Sequence, residues 1–257
     1  MFNFDSLRKC DLHIHDCYSH DGKGTVEEYA YRALDLGLER IAITNHIESI
    51  NSKTKEYEII AEQEIKRFSN SLESIKRVRE KFPHLEILFG IEIDNSKWAY
   101  SDIEKVLSAL DFDIVIGSVH FIDELNFSGK SCRPLLQSMN PYELHEKYFK
   151  EVLDFFEQFD FDIVGHLELV DRNLVDLFPD YNPEIEFSIL NDIFSKMKEK
   201  DVALEINTGG FFQAPKRSYP SVKVVDYALS VGVEKFSFGS DAHCPESLGK
   251  GFDLFSL

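Results

Sequence analysis

The sequence is short of positive charge. It carries 28 lysines and arginines against 46 aspartates and glutamates, a formal net charge of −18. It therefore lacks the basic face that general affinity for nucleic acid or an anionic membrane requires. An anionic small substrate is still admissible, because divalent cations would invert the field locally and distant carboxylates are screened within roughly 8–10 Å at physiological salt. Cysteine is scarce too. Cys10, Cys17, Cys132 and Cys244 form no C-x-x-C pair, and free thiols in a reducing cytoplasm are expected. No apolar run reaches membrane-spanning length. The first residues, Met1 to Asp5, show no basic region leading into an apolar stretch, so secretion is not expected.

What is present suits a globular enzyme. The 257 residues, 43% hydrophobic and 13% aromatic, can bury one sizeable core. No linker, repeat or low-complexity segment divides them, and a single domain over 1–257 is expected. Strand and helix signals alternate. Strands are expected at Cys10–His15, Arg40–Thr44, Leu85–Ile93, Phe112–Phe121, Phe161–His166, Val202–Asn207 and Lys235–Ser240. Between them, helices are expected from Thr25 (with a capping box to Glu28) to Gly37 and from about Lys55 to Phe82. Further helices are expected at Ser101–Leu110 with a serine cap, Pro141–Phe159, Glu184–Lys200 and Ser221–Val231, with a loop over Ile122–Asn140. Such alternation predicts a parallel sheet with helices outside it. A closed barrel is favoured over an open doubly wound sheet, since residues from the first, middle and last strands can converge only if the sheet closes.

Seven of the nine histidines, with two carboxylates, fall in short motifs: His13-Ile14-His15 with His20, Asn45-His46, Gly90-Ile91-Glu92, Val119-His120, Gly165-His166 and Asp241-Ala242-His243. Nearly every motif ends an expected strand, which is where barrel enzymes carry their chemistry. Residues i and i+2 of a strand share a face, so His13 and His15 can serve one ion, as can Asp241 and His243. A lone strand-end histidine is ordinarily a residue with a satisfied hydrogen bond; the whole set is not explained that way. Nine His and carboxylate ligands exceed what one ion uses, and they suit zinc, manganese or iron. A cluster of two to three divalent ions at a barrel rim points to a hydrolase. His84 and His145 fit no motif and are expected at the surface.

The order of these motifs resembles the PHP (polymerase and histidinol phosphatase) superfamily, from Asp11 to about Gly251. The more discriminating segments are Gly117-Ser118-Val119-His120-Phe121, Glu205-Ile206-Asn207-Thr208 and Gly239-Ser240-Asp241-Ala242-His243. Within it the chain is most similar to monofunctional histidinol-phosphatases. The resemblance implies a distorted (β/α)7 barrel with a trinuclear site. His13, His15, Glu92 and Asp241 would hold the first ion. Glu92, His120 and His166 would hold the second, with Glu92 bridging. His20, His46 and His243 would hold the third, with Asp21 as the alternative to His20. Glu92, Asp241 and His243 would be central to catalysis. The implied reaction is hydrolysis of L-histidinol phosphate by a hydroxide bridging two ions, in histidine biosynthesis; the alternative is a relative acting on nucleotides or other small phosphate esters. No protein nucleophile is needed, and Ser19, Ser118 and Ser240 are expected to be turn or supporting residues. Arg172 and Arg217 are the expected phosphate-binding cations, ahead of Lys216 and Arg133. Glu168 and Asp171 are acids available to the imidazole end of such a substrate. An amidohydrolase is disfavoured because no expected strand ends in lysine. Asn45 stands where relatives often carry an acid. The chain also ends 14 residues after His243 without the closing helix usual in relatives, which puts the stability of the last strand in question.

Overall fold

The computed structural model describes residues 4–47, 49–50, 57–182 and 187–257. Seven parallel strands follow one another around a barrel in sequence order: β1 (Cys10–Ile14), β2 (Arg40–Ile43), β3 (Glu86–Asp94), β4 (Ile114–Ser118), β5 (Ile163–Val164), β6 (Ala203–Asn207) and β7 (Phe236–Gly239). The ladder joins each strand to the next but stops between β7 and β1. There a single parallel bridge, Ile14 with Ala242, and one hydrogen bond from His15 N–H to Ala242 O (2.9 Å) close the circle. The result is the distorted (β/α)7 barrel, and the open doubly wound alternative is set aside.

Strand β3 shows why the sheet is buried on both faces. Ile87, Phe89, Ile91 and Ile93 belong to the large core shared with the helices. Alternate residues turn inward, where a smaller cluster of Ala42, Ile114, Ile116 and Ile163, packed by Leu12, Leu88 and Ala203, draws on six strands and fills the barrel. Apolar residues on both faces are what a parallel sheet needs. Gly90 is held to glycine here, since a Cβ would fall 2.6 Å from Thr44 Cγ2 and 2.7 Å from Ile114 Cγ2.

The outer helices are α1 (Val26–Asp35), α2 (Ala61–Lys81), α3 (Tyr100–Ala109), α4 (Pro141–Phe156), α5 (Asp171–Leu177), α6 (Phe187–Lys200) and α7 (Val222–Ser230). The capping box of α1 is present, with Glu28 N–H on Thr25 Oγ1 and Thr25 N–H on Glu28 Oε2. Three expectations are corrected. Helix α2 starts at Ala61 because Tyr57–Glu58 pairs with Ser49–Ile50, and the expected start at Lys55 lies outside the described residues, as does Glu184. Helix α3 begins at Tyr100 and has no serine cap. The expected loop after β4 contains a small hairpin, Phe121–Ile122 with Leu125–Asn126, and a helical turn at Arg133–Leu136.

The last strand is well secured without a closing helix. Phe4 packs edge-on against Phe236, Phe238 and Phe255, and Phe238 packs against Phe252 and Phe255. Arg8 Nη2 also donates to Phe255 O at 2.6 Å. Among the described residues, no helix is long and apolar enough to cross a membrane.

Candidate metal centre

The C-terminal ends of the strands bring the motif residues to one place. Glu92, buried at the top of β3, is the hub. Its Oε1 lies 3.0 Å from His166 Nε2, 3.4 Å from His13 Nε2 and 3.9 Å from His120 Nε2. Its Oε2 lies 2.5 Å from His46 Nδ1 and 3.7 Å from His15 Nε2. Asp241 faces the first strand across the seam, with Oδ1 3.3 Å from His15 Nε2 and 3.7 Å from His13 Nε2. The His15 ring stacks on those of His46 and His243, at 4.0 and 4.4 Å between centroids.

Three sets of ligand atoms each lie within 4.8 Å of one another: His13, His15 and Asp241; His13, Glu92 and His166; His15, His46 and His243. The first two coincide with parts of the implied first and second sites, and His120 borders the second through Glu92. Beside the third set lie both candidates named from the sequence, His20 and Asp21. His20 is exposed, with its ring 6.0 Å from that of His46. Asp21 faces the set more closely, its Oδ2 3.2 Å from His243 Nε2 and its Oδ1 3.9 Å from His46 Nε2. The cause is local: Ser19 N–H bonds Asp16 O and Gly22 N–H bonds Ser19 O, and this tight turn brings both His20 and Asp21 to the cavity.

These residues fit a metal cluster. His13 Nε2 and His15 Nε2 are buried and have no hydrogen-bond partner. Buried polar atoms are seldom left so, and both nitrogens lie among further His and carboxylate donors. Three of the motif imidazoles are held from their other side. His13 Nδ1 is 2.7 Å from Glu205 Oε1, His120 Nδ1 is 2.7 Å from Asp94 Oδ1, and His243 Nδ1 is 2.9 Å from Asp241 O. Such partners orient ligating imidazoles. Two of the residues, His166 (φ 25°) and Asp241 (φ 55°), hold left-handed backbone, a strain that collects at functional sites.

Electrostatics follow the same contacts. Burial would lower the His13 imidazole, but Glu205, Glu92 and Asp241 outweigh it and hold it well above its ordinary range. Burial likewise opposes charge on His120 and His243, yet Asp94 and Asp21 raise them. Burial, with His46 and His243 beside it, drives His15 well below its usual value. Glu92 and Asp241 stay ionised against burial because the histidines surround them. Asp11, pushed up to about 6 by burial, accepts from Ser240 N–H and Oγ–H and from Gly249 N–H, and so shapes the loop carrying Asp241.

A cavity of about 380 Å³ opens over the cluster, lined beyond the metal-type residues by Asn126, Ser128, Leu169, Arg172 and Gln213. Arg172 lies on α5, where a loop was expected. Arg217 is placed differently from expectation. Nη1 donates to Glu168 Oε2 (3.2 Å) and Ser218 O (2.9 Å), and Nη2 to Glu168 Oε1 (3.3 Å) and Asp171 Oδ2 (2.5 Å). With its four Nη hydrogens taken, it offers no fork to a phosphate. Glu168 and Asp171 are thereby committed as well. Arg133 is held by Asn173 and Asp176, and Lys216 is exposed. His84 is exposed as expected, but His145 is buried on α4 against Phe149.

Sequence reasoning gave no role to Glu205, Asp94 and Asp11. Asp94 and Asp11 stand two residues from Glu92 and His13, so the strand period that flagged the ligands also marks them. Glu205 lay in a segment noted only for resemblance. Asn45 does not replace an acid at the His46 ring. Its amide brackets Asp16 instead, accepting from Asp16 N–H (2.9 Å) and donating to Asp16 Oδ1 (2.8 Å).

Comparison with known proteins agrees with this architecture. The PHP domain model matches residues 11–209. Over 244 residues, 95% of this chain and 89% of the other, the chain is 28% identical to a Deinococcus radiodurans protein named “Probable histidinol-phosphatase”. It is 25% identical over 244 residues, 92% and 85% of the two chains, to histidinol-phosphatase of Lactococcus lactis. The crystal structure of histidinol phosphate phosphatase from Lactococcus lactis, complexed with zinc, L-histidinol and phosphate, superposes with a TM-score of 0.75 at 23% identity, covering 96% of this chain and 92% of that one. Motif order, barrel and family match coincide over most of the chain, which therefore belongs to the PHP domain family.

Proposed function

We propose that the chain is a metal-dependent phosphomonoesterase that hydrolyses L-histidinol phosphate to L-histidinol and phosphate, a step of histidine biosynthesis. The observation that carries the hydrolase reading is the convergence of three sets of ligand atoms beneath one cavity with an arginine in its wall. The substrate half of the reading draws on relatives of that name aligned over nearly the whole chain. Free cysteines are consistent with a reducing cytoplasm.

In this reading His13, His15, Glu92 and Asp241 hold one ion, Glu92, His120 and His166 a second, and His46, His243 and Asp21 a third, with His15 adjoining. Zinc, manganese or iron would suit these donors. When bound, such ions activate water and neutralise the charge of a transferring phosphoryl group. The protein's own part is to orient and to bind. Glu205 and Asp94 fix the rings of His13 and His120, and Ser118 Oγ–H donates to Glu92 Oε1 at 2.5 Å. Arg172 makes no side-chain hydrogen bond or ion pair among the described residues, and it is the cation for the phosphate. Ser118 and Ser240 spend their hydroxyl protons on Glu92 and Asp11, Ser19 Oγ accepts from His46 N–H at 3.1 Å and lies 3.5 Å from His15 Nδ1, and in this reading water is the nucleophile.

The test is phosphate release from L-histidinol phosphate by zinc- or manganese-loaded protein at neutral pH. Turnover abolished by chelator is expected. Metal-loaded protein that leaves this ester intact but cleaves nucleotides or other small phosphate esters would overturn the substrate and keep the phosphomonoesterase.

A further inference from the structure

One buried carboxylate joins three strands beneath the cluster. Glu205, on β6 and 1% exposed, sends Oε1 to His13 Nδ1 on β1 at 2.7 Å and accepts the main-chain N–H of His166, after β5, on Oε2 at 2.5 Å. To reach His13 it must cross β7, and it crosses at Gly239. A Cβ there would stand 2.0 Å from Glu205 Oε1 and 2.6 Å from His13 Cβ. The His166 N–H that it receives belongs to a residue at φ 25°, a conformation that persists only where surrounding contacts over-determine it.

We infer that Glu205 is the positioning residue of the His13–Glu92–His166 group, acting through the passage that Gly239 leaves open. It fixes His13 with the proton on Nδ1, so that Nε2 is free as a donor, and it holds His166 in its strained backbone so that its ring meets Glu92. Both tasks need an acceptor. A carboxylate offers two accepting oxygens and an amide only one. In Glu205→Gln either the amide N–H₂ faces His13 Nδ1 and drives the ring proton to Nε2, or it faces the His166 N–H and leaves that donor buried and unpaired. The substitution is nearly isosteric, so its effect separates acceptance of hydrogen bonds from packing. The inference rests on the metal reading above and is independent of the substrate.

The experiment is competition of the protein with a chelator for zinc alone, in wild type, Glu205→Gln and Gly239→Ala. Metal-free circular dichroism accompanies it as the check on folding. Both variants are expected to hold zinc roughly 10–100-fold less tightly than wild type, the range for loss of a partner behind a ligating histidine. Zinc-loaded wild type is expected to show a slowly exchanging ring N–H of His13 assigned to Nδ1, lost in Glu205→Gln. Equal zinc affinity in wild type and folded Glu205→Gln would overturn the inference while leaving the metal reading intact. So would a zinc-loaded wild type with the His13 proton on Nε2, a measurement that needs no variant to fold. A wild type that takes up no zinc would remove the metal reading itself, and the inference with it.

Discussion

Asp21 Oδ2 and His243 Nε2 lie 3.2 Å apart across the seam of the barrel, with His46 Nε2 3.9 Å from the other carboxylate oxygen. The neighbouring His20 lines the same cavity, its ring 6.0 Å from that of His46. Asp21→Ala is expected to weaken zinc retention by roughly 10-fold or more and to lower turnover with it. His20→Ala is expected to stay close to wild type. Metal content after graded chelator dialysis separates the two, and a larger loss in His20→Ala would reverse the assignment.

Arg172 lines the cavity while Arg217 is ion-paired to Glu168 and Asp171, and their removal should read out differently. Arg172→Ala is expected to lower kcat/KM for a phosphate ester by on the order of 100-fold, with metal content unchanged. Inhibition by inorganic phosphate should weaken in parallel. Steady-state kinetics and metal analysis on the same sample check this.

Arg217→Ala, by contrast, leaves Glu168 and Asp171 buried without their counter-charge. Burial already raises both carboxyls, and Arg217 is what opposes the rise. A loss of roughly 3 kcal/mol in unfolding free energy is expected, measured by urea denaturation. Glu168→Gln in the same chain should return part of it; a variant as stable as wild type would show the ion pairs to be immaterial.

Metal uptake should release protons. His13, His120 and His243 are each raised above the ordinary histidine value without metal, and ligation needs neutral imidazole. Affinity should therefore rise with pH through the neutral range and fall as the solution is acidified, because protons and metal compete for the same nitrogens. Calorimetric titration of zinc in buffers of different ionisation enthalpy gives the proton count; a count of zero at pH 7 would contradict these shifts.

Phe255 tests the far end. Its ring is 1% exposed between Phe4 and Phe238, and Phe255→Ala is expected to destabilise by roughly 3–5 kcal/mol. Thermal denaturation of the metal-free protein isolates this from ligand effects.

The barrel was legible because period and punctuation agreed: each of the seven strands appears where an apolar run was read, six of them ending at a motif, and Thr25 with Glu28 marks α1 correctly. The metal-type residues were legible because histidine at a strand end is chemically loud. The ion pairs of Arg217 were not legible because a charge on the right rim says nothing of its neighbours; Glu168 and Asp171 come from a different loop and meet it only in the folded chain. His145 misled because fitting no motif says nothing of burial, and Phe149 one turn on covers it in the folded chain. His20 and Asp21 could not be separated from spacing, since the turn brings both side chains to the cavity.

The gap between β7 and β1, spanned by one bridge and one hydrogen bond, has a mechanical consequence. His13 and His15 stand on one lip of this gap, Asp241 and His243 on the other. Any ion shared between the lips acts as a clasp that fastens the two ends of the sheet where backbone pairing is thinnest. Loading the site would then tighten the circumference of the barrel, and hydrogen exchange at Ile14, His15 and Ala242 would slow on zinc uptake more than at the well-laddered junction of β3 and β4.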